Sequence, residues 1–350
     1  MRYVQLGSSG LRVSELCLGT MTFGDERDEG WGATREEAQR IFESFVGEGG
    51  NFFDTANNYV AGASERYLGQ LVASQRDRFV VATKYTAAVR GGDPNAIGNH
   101  RKNLIQSLDA SLGRLRTDYI DLYWVHAWDS LTPLDELMRA LDDVVKAGKV
   151  LYVGASDTPA WVVSRANMLA ELRGWTPFSA IQIEYSLIQR TVERDLVPMA
   201  SALELAALAW APLGRGLLTG KYSRPDTGSE PGGRLSPDDA RRDKHNLAIA
   251  QTVDAVADEL GVPSAQVAIA WLCQQPGQLI PLVGARSAVQ LRENLGGLSV
   301  TLSGEHLRQL DETSRVPLGF PHDFLAGLRA RRAATVTPHT LESPMRFPRV

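Results

Sequence analysis

Eight short runs rich in branched and aromatic residues recur along the chain: ELCLGT (15–20), NFFDTA (51–56), FVVATK (79–84), IDLYWVH (120–126), VLYVGASD (150–157), AIQIEYS (180–186), LAALAWAPL (205–213) and LIPLVGA (279–285). They read as continuous apolar runs, the pattern of strands covered on both faces. A helix-forming stretch separates each from the next. Eight βα units in succession predict an α/β fold, a closed (β/α)8 TIM barrel. An open doubly wound sheet is the rival, but it requires a GxGxxG turn after the first strand and an acidic residue beyond it, and the chain has neither. The nearest segment, GRGLLTG (214–220), has different glycine spacing and follows the seventh run, where barrels tend to bind phosphate groups.

Between the runs, TREEAQRIFESFVGEGG carries Ile41, Phe42 and Phe45 on one helical stripe, and TPLDELMRALDDVVKAGKV carries Leu134, Leu137, Leu141 and Val145. Thr132 is read as the N-cap of the second helix, Pro133 as its first residue and Gly148 as its stop. Three segments fall outside the repeat. MRYVQLGSSGLRVS reads as a hairpin able to close the bottom of the barrel. Residues 221–246 are rich in Gly, Pro and charge and are too long for a routine connection after the seventh strand. Beyond about Pro317 the chain becomes Pro- and Arg-containing. The expected division is a barrel domain over 1–316 and a C-terminal extension over 317–350, serving as a lid, an oligomer contact or a disordered tail.

Composition narrows the function classes. With 43% hydrophobic and 22% charged residues the chain is an ordinary globular one, and its net charge of −4 offers no general attraction to nucleic acid or an anionic membrane. A small-molecule partner is expected, with self-association left open. Cys17 and Cys273 both lie in apolar runs, so neither a disulfide framework nor a CxxC metal site is available. The opening MRYVQLGSSG lacks the apolar core of a signal peptide and no run approaches the length of a membrane span, so a cytoplasmic protein is expected.

In a barrel the C-terminal ends of the strands share one mouth, where catalytic groups gather. Asp54 ends the second run, Tyr59 follows in its loop, Lys84 ends the third and His126 ends the fourth. Their chemistry is complementary. A phenol with an ordinary pKa of about 10 is a poor acid at neutral pH unless a cation stabilises its conjugate base. Lys84 can supply that cation, and Asp54 can keep the lysine charged and in position. A neutral His126 can donate a hydrogen bond that aims a carbonyl. Together they describe an acid catalyst for an oxygen that gains negative charge. A metal-assisted hydrolase is the poorer reading, since the sequence has no HxH or HExxH and Lys84 would repel a dication.

These residues lie in stretches that resemble the aldo-keto reductases, barrel enzymes that reduce aldehydes and ketones with NADPH. The resemblance runs from about residue 2 to about 315 through LGSSGLRVSELCLGTMTFG, NFFDTANNY, GASERYLGQ, VVATK, DYIDLYWVHAWD, VGASD, IQIEYS, WAPLGRGLLTGKY and VGARSAVQLRENL, in that order. It implies that Asp54, Tyr59, Lys84 and His126 form the catalytic tetrad. Tyr59 would be the proton donor, Lys84 and Asp54 would tune it, and His126 would orient the carbonyl.

The resemblance also implies the cofactor contacts. Gly19, Thr20 and Met21, with Asp54, match the segment beside the nicotinamide; Ser156, Asp157 and Gln182 match the carboxamide contacts, with Asp157 standing where Asn is commonest. Trp210 matches the ring that stacks on the nicotinamide. Leu213, Gly214, Gly216 and Lys221 match the pyrophosphate loop. Gly284, Arg286, Gln290, Glu293 and Asn294 fall at the adenosine-phosphate end, with Gly284 standing where many relatives have lysine and Gln290 where some have arginine; Arg286 favours NADPH. No side chain can carry hydride, so the chemistry itself requires such a cofactor. Trp31 and Trp128 sit in loops expected to rim the mouth and, with Tyr59 and His126, to meet a small carbonyl substrate. An alternative of a different class is a cofactor-binding regulatory subunit, since potassium-channel β subunits resemble the same barrel and keep much of the tetrad.

Overall fold

The computed structural model describes residues 1–24, 32–89, 91–224, 234–236 and 238–335. Each of the eight apolar runs supplies one strand. After a hairpin of β1 (Tyr3–Gln5) and β2 (Arg12–Ser14) come β3 (Cys17–Gly19), β4 (Phe52–Asp54), β5 (Val80–Tyr85), β6 (Ile120–Val125), β7 (Val150–Ser156), β8 (Phe178–Glu184), β9 (Ala206–Trp210) and β10 (Leu279–Val283). These eight strands lie parallel in chain order. β10 returns to β3 through the Leu282↔Cys17 and Val283↔Leu18 pairs, which closes the barrel and removes the open-sheet rival.

Around the barrel run α1 (Arg35–Gly47), α2 (Ala63–Val72), α3 (Arg101–Leu115), α4 (Leu134–Lys146), α5 (Ala160–Arg173), α6 (Leu196–Ala202), α7 (Lys244–Leu260), α8 (Ser264–Cys273) and α9 (Ala288–Leu295). α1 starts where Thr34 accepts a hydrogen bond from the Glu37 N–H, and it buries Ala38, Ile41, Phe42 and Phe45. Phe42 stacks on Phe53 of β4 at 5.0 Å and Phe79 meets Phe53 edge-on at 5.4 Å. Each such buried ring contributes about 1.5–3 kcal/mol. α4 buries Leu134, Leu137 and Leu141 as expected, with Val144 in place of the half-buried Val145. Its cap differs from expectation: Pro133 is the N-cap, and Thr132 instead donates its hydroxyl to Asp129 at 2.7 Å. A nearby carboxylate outcompeted the helix end for that hydroxyl.

The hairpin closes the bottom. Leu6 and Val13 join Cys17, Phe52, Leu122, Leu208 and Ile280 in a core inside the barrel. Gly7, at φ 61°, passes so close beneath β8 that a Cβ there would lie 2.4 Å from the Ser179 carbonyl oxygen, and its N–H donates to Gln278 Oε1 at 2.8 Å. Only glycine suits both the angle and the clearance.

Of the long segment after β9, the described part holds Arg224 paired with Asp258 at 2.8 Å and a short turn at Ala240–Arg242. In the C-terminal part, α10 (Gly304–Ser314) is followed by α11 (His322–Thr335). Among the described residues no helix is long and apolar enough to cross a membrane.

Candidate active site

Alternation along the strands builds the site. In the barrel interior Phe52 is followed two residues later by Asp54, Ala82 by Lys84, Ala180 by Gln182 and Leu208 by Trp210. Period-two geometry turns all of these the same way. The apolar filling therefore ends in a polar layer at the mouth.

Lys84 is wholly buried and Asp54 is 1% exposed. The Lys84 ammonium donates to Asp54 Oδ2, to the Thr55 carbonyl at 2.9 Å and to the Tyr59 hydroxyl at 3.2 Å, which uses all three of its donors. Asp54 Oδ1 accepts from Gln182 Nε2 at 3.1 Å. Burial pulls against the lysine's charge, but the Asp54 carboxylate beside it prevails and the Lys84 pKa is raised. Tyr59 is half-buried, and its ring meets the His126 ring edge-on at 5.9 Å. Burial, and secondarily the charge of Lys84, push the His126 imidazole down to about 3, so it is neutral at physiological pH.

Tyr59, His126 and Asp54 form part of the wall of a cleft of about 720 Å³. Gly19, Met21, Ser156, Asp157, Gln182, Trp210, Leu213, Gly216, Lys221, Gly284, Arg286, Gln290, Glu293 and Asn294 line the same cleft. Trp210 Nε1 donates to Asp157 Oδ1 at 3.1 Å, and burial raises the Asp157 carboxyl.

Four of the residues named from the sequence stand off the wall. Lys84 lies behind it. Thr20 is fully buried and points at the Asp54 carbonyl, 3.0 Å away, and at Ser64 Oγ, 2.9 Å away. Gly214 is buried with φ 55°, and a Cβ there would meet the Ile188 side chain at 2.6 Å. Trp128 is half-buried against the outer core. Trp31 lies outside the described residues.

A family model for the aldo/keto reductase family matches residues 15–315. The chain belongs to that family. Among curated relatives, the norsolorinic acid reductase stcV of Emericella nidulans is 40% identical over 91% of this chain and 82% of its own length. An aryl-alcohol dehydrogenase of Pestalotiopsis microspora is 38% identical over 91% of this chain and 83% of its own. The aryl-alcohol dehydrogenase [NADP(+)] of Phanerodontia chrysosporium is 37% identical over 89% of this chain and 86% of its own. This aldo/keto reductase thus aligns with oxidoreductases along nearly its whole length.

Sequence reasoning did not name several wall residues of this aldo/keto reductase: Thr22, Asn58, Arg215, Thr219, Arg234, Leu282 and Val283 among them. Asn58 and Arg215 lie inside NFFDTANNY and GRGLLTG, next to residues the resemblance does assign, and that adjacency is the signal for them. Leu282 stands two residues before Gly284, the spacing that brings it to the same wall. Arg234 sits in the Gly- and Pro-rich segment, which has no periodicity to report its direction.

Proposed function

We propose that the protein is an NADPH-dependent oxidoreductase that reduces an aryl aldehyde or ketone to the alcohol, with Tyr59 as the proton donor. The observation that carries this reading is the hydrogen bond of 3.2 Å from the buried Lys84 ammonium to the Tyr59 hydroxyl on the floor of the cleft. As the phenol gives up its proton, the ammonium stabilises the charge left on its oxygen. Asp54 keeps the ammonium charged and fixed. Neutral His126 donates a hydrogen bond to the carbonyl oxygen and holds it toward Tyr59.

The cleft suits a phosphorylated dinucleotide. Its wall, around a volume of about 720 Å³, includes glycines at Gly19, Gly216 and Gly284 and the cationic side chains Lys221, Arg215, Arg234 and Arg286. A Cβ at Gly216 would press on the Lys221 ammonium at 3.1 Å, so the bare glycine leaves that cation room at the wall. When bound, the nicotinamide supplies the hydride. Ser156, Gln182 and Asp157 would hold its carboxamide, the Trp210 indole its face, Lys221 the pyrophosphate, and Arg286 the 2′-phosphate through its planar fork. The preference for an aryl carbonyl rests on the names of the relatives, among them aryl-alcohol dehydrogenases.

The test is NADPH consumption with a panel of aryl and alkyl aldehydes and ketones, run beside NADH. Turnover is expected with NADPH and an aryl carbonyl, and Tyr59→Phe should lower kcat by about 10²–10⁴-fold. Tight NADPH binding without oxidation above background by the wild type would overturn the reading in favour of a cofactor-binding regulatory subunit.

A further inference from the structure

His126 is aimed without a side-chain tether. Its Nδ1 is buried and has no hydrogen-bond partner among the described residues. The direction of the ring therefore depends on where its backbone is held. The His126 N–H points at the Tyr85 carbonyl, 3.1 Å away, and at Thr86 Oγ1, 3.2 Å away. Thr86, and the residues that follow His126, are gripped by the fully buried side chain of Asn99 in the loop between β5 and α3, while Tyr85 meets only the Asn99 main chain.

Asn99 Nδ2 donates to Thr86 Oγ1 at 2.9 Å and to the Ala127 carbonyl at 2.9 Å, while Asn99 Oδ1 accepts from the Asp129 N–H at 2.9 Å. Its main chain adds two more bonds: the N–H donates to Asp129 Oδ2 at 2.6 Å, and the carbonyl accepts from the Tyr85 hydroxyl at 3.1 Å. Every partner lies within three residues of His126 or at the end of the strand beside it. Thr86 stands at φ 105°, a region that β-branched residues rarely adopt, so its hydroxyl needs the anchorage that Asn99 gives.

We infer that Asn99 is a positioning residue for His126, a clasp that joins the loops after β5 and β6 and fixes the angle at which the imidazole meets a substrate carbonyl. The inference rests on the reading of His126 as the carbonyl-orienting group. Asn99 is buried and is not among the residues lining the cleft, so its replacement should act on kcat and leave cofactor affinity alone. A misplacement of about 1 Å can cost on the order of 100-fold in rate.

The experiment uses the full chain with ¹⁵N-labelled histidine, NADPH and the best carbonyl from the panel. Asn99→Asp keeps the shape but turns an acceptor toward the Ala127 carbonyl. It should lower kcat by about 10- to 100-fold, hold the NADPH Kd within about twofold and move the His126 ring resonances. A kcat within about twofold of wild type with unmoved resonances overturns the proposal. Should Asn99→Asp fail to fold, Thr86→Val and Thr86→Ser decide it: loss with valine and recovery with serine support the clasp, and equal rates for both overturn it. If the wild type turns over no carbonyl, the functional reading fails separately. The His126 resonances then decide the clasp alone, shifted resonances supporting it and unshifted ones overturning it.

Discussion

At the bottom of the barrel Arg76 donates to Asp121 Oδ2 at 2.6 Å, to Thr117 Oγ1 at 3.1 Å and to the carbonyls of Phe79 and Tyr119 at 2.9 and 3.0 Å. Asp121 Oδ2 also accepts from the Val81 N–H at 2.9 Å, and the guanidinium lies 4.1 Å from the Tyr119 ring centroid. At the mouth, Lys84 and Asp54 form the same kind of buried pair, yet one of the lysine's bonds goes to a phenol that borders a cleft. The lower pair is closed on itself by backbone partners. The upper pair hands part of its charge to a group with a proton to give. Buried ion pairs are weak evidence for stability by themselves; what distinguishes these two is where the last hydrogen bond goes.

That contrast can be broken most forcefully by exchanging what each pair loses. Lys84→Met should lower kcat by about 10²–10⁴-fold in the carbonyl assay, because the phenol then loses its cation. It should also cost stability, and Lys84→Met combined with Asp54→Leu should restore the melting temperature without restoring turnover. Recovered turnover in the double variant would remove the mouth pair from the chemistry. Arg76→Leu is the counterpart: it strands Asp121 and should cost about 3–5 kcal/mol in urea denaturation, while kcat/KM of the folded fraction stays at the wild-type value. A drop in kcat/KM there would erase the division between the two ends.

Smaller effects sharpen the comparison. Arg286→Ala should raise the KM for NADPH by about 10- to 100-fold and leave that for NADH nearly unchanged, the loss expected for one charge-assisted hydrogen-bonding group. Equal changes for both cofactors would remove Arg286 from 2′-phosphate selection. The smallest concerns pH. The folded His126 pKa lies at about 3, below the ordinary value of about 6.5. Between those values the unfolded chain accepts a proton that the folded site refuses, so stability is lost as pH falls from about 6.5, by at most about 1.4 kcal/mol per unit. His126→Gln should flatten the acid limb of a melting-temperature profile. An unchanged limb would mean that the imidazole titrates freely.

Much of this was legible in the residues because the apolar runs end in polar side chains at one shared mouth. Asp54, Lys84 and His126 stand at such ends, and Gln182 was legible only through the family resemblance. The family resemblance adds the assignment of roles, which residue type alone leaves open. What eluded sequence reasoning lies beyond the last regular residue. Thr20 follows β3, where alternation ends, and turns to Ser64 rather than to the cleft. Trp128 follows His126 by two positions in a loop drawn down by Asn99 and Asp129, so its ring packs on the core. Thr132 is a sound cap by composition, and only the neighbouring Asp129 makes it something else. Local preference gives no means of foreseeing a partner on another loop.

The hydrogen bond from Gly7 to Gln278 spans 271 positions. During synthesis, the turn at Gly7 must therefore wait until Gln278 has left the ribosome before its docking place exists. Until then Leu6 and Val13 have no enclosure to enter, and so distant a contact belongs to the slow, late part of assembly. Substitutions at Gly7 should accordingly be felt first as poor yield of folded material in cells, ahead of any defect in purified enzyme.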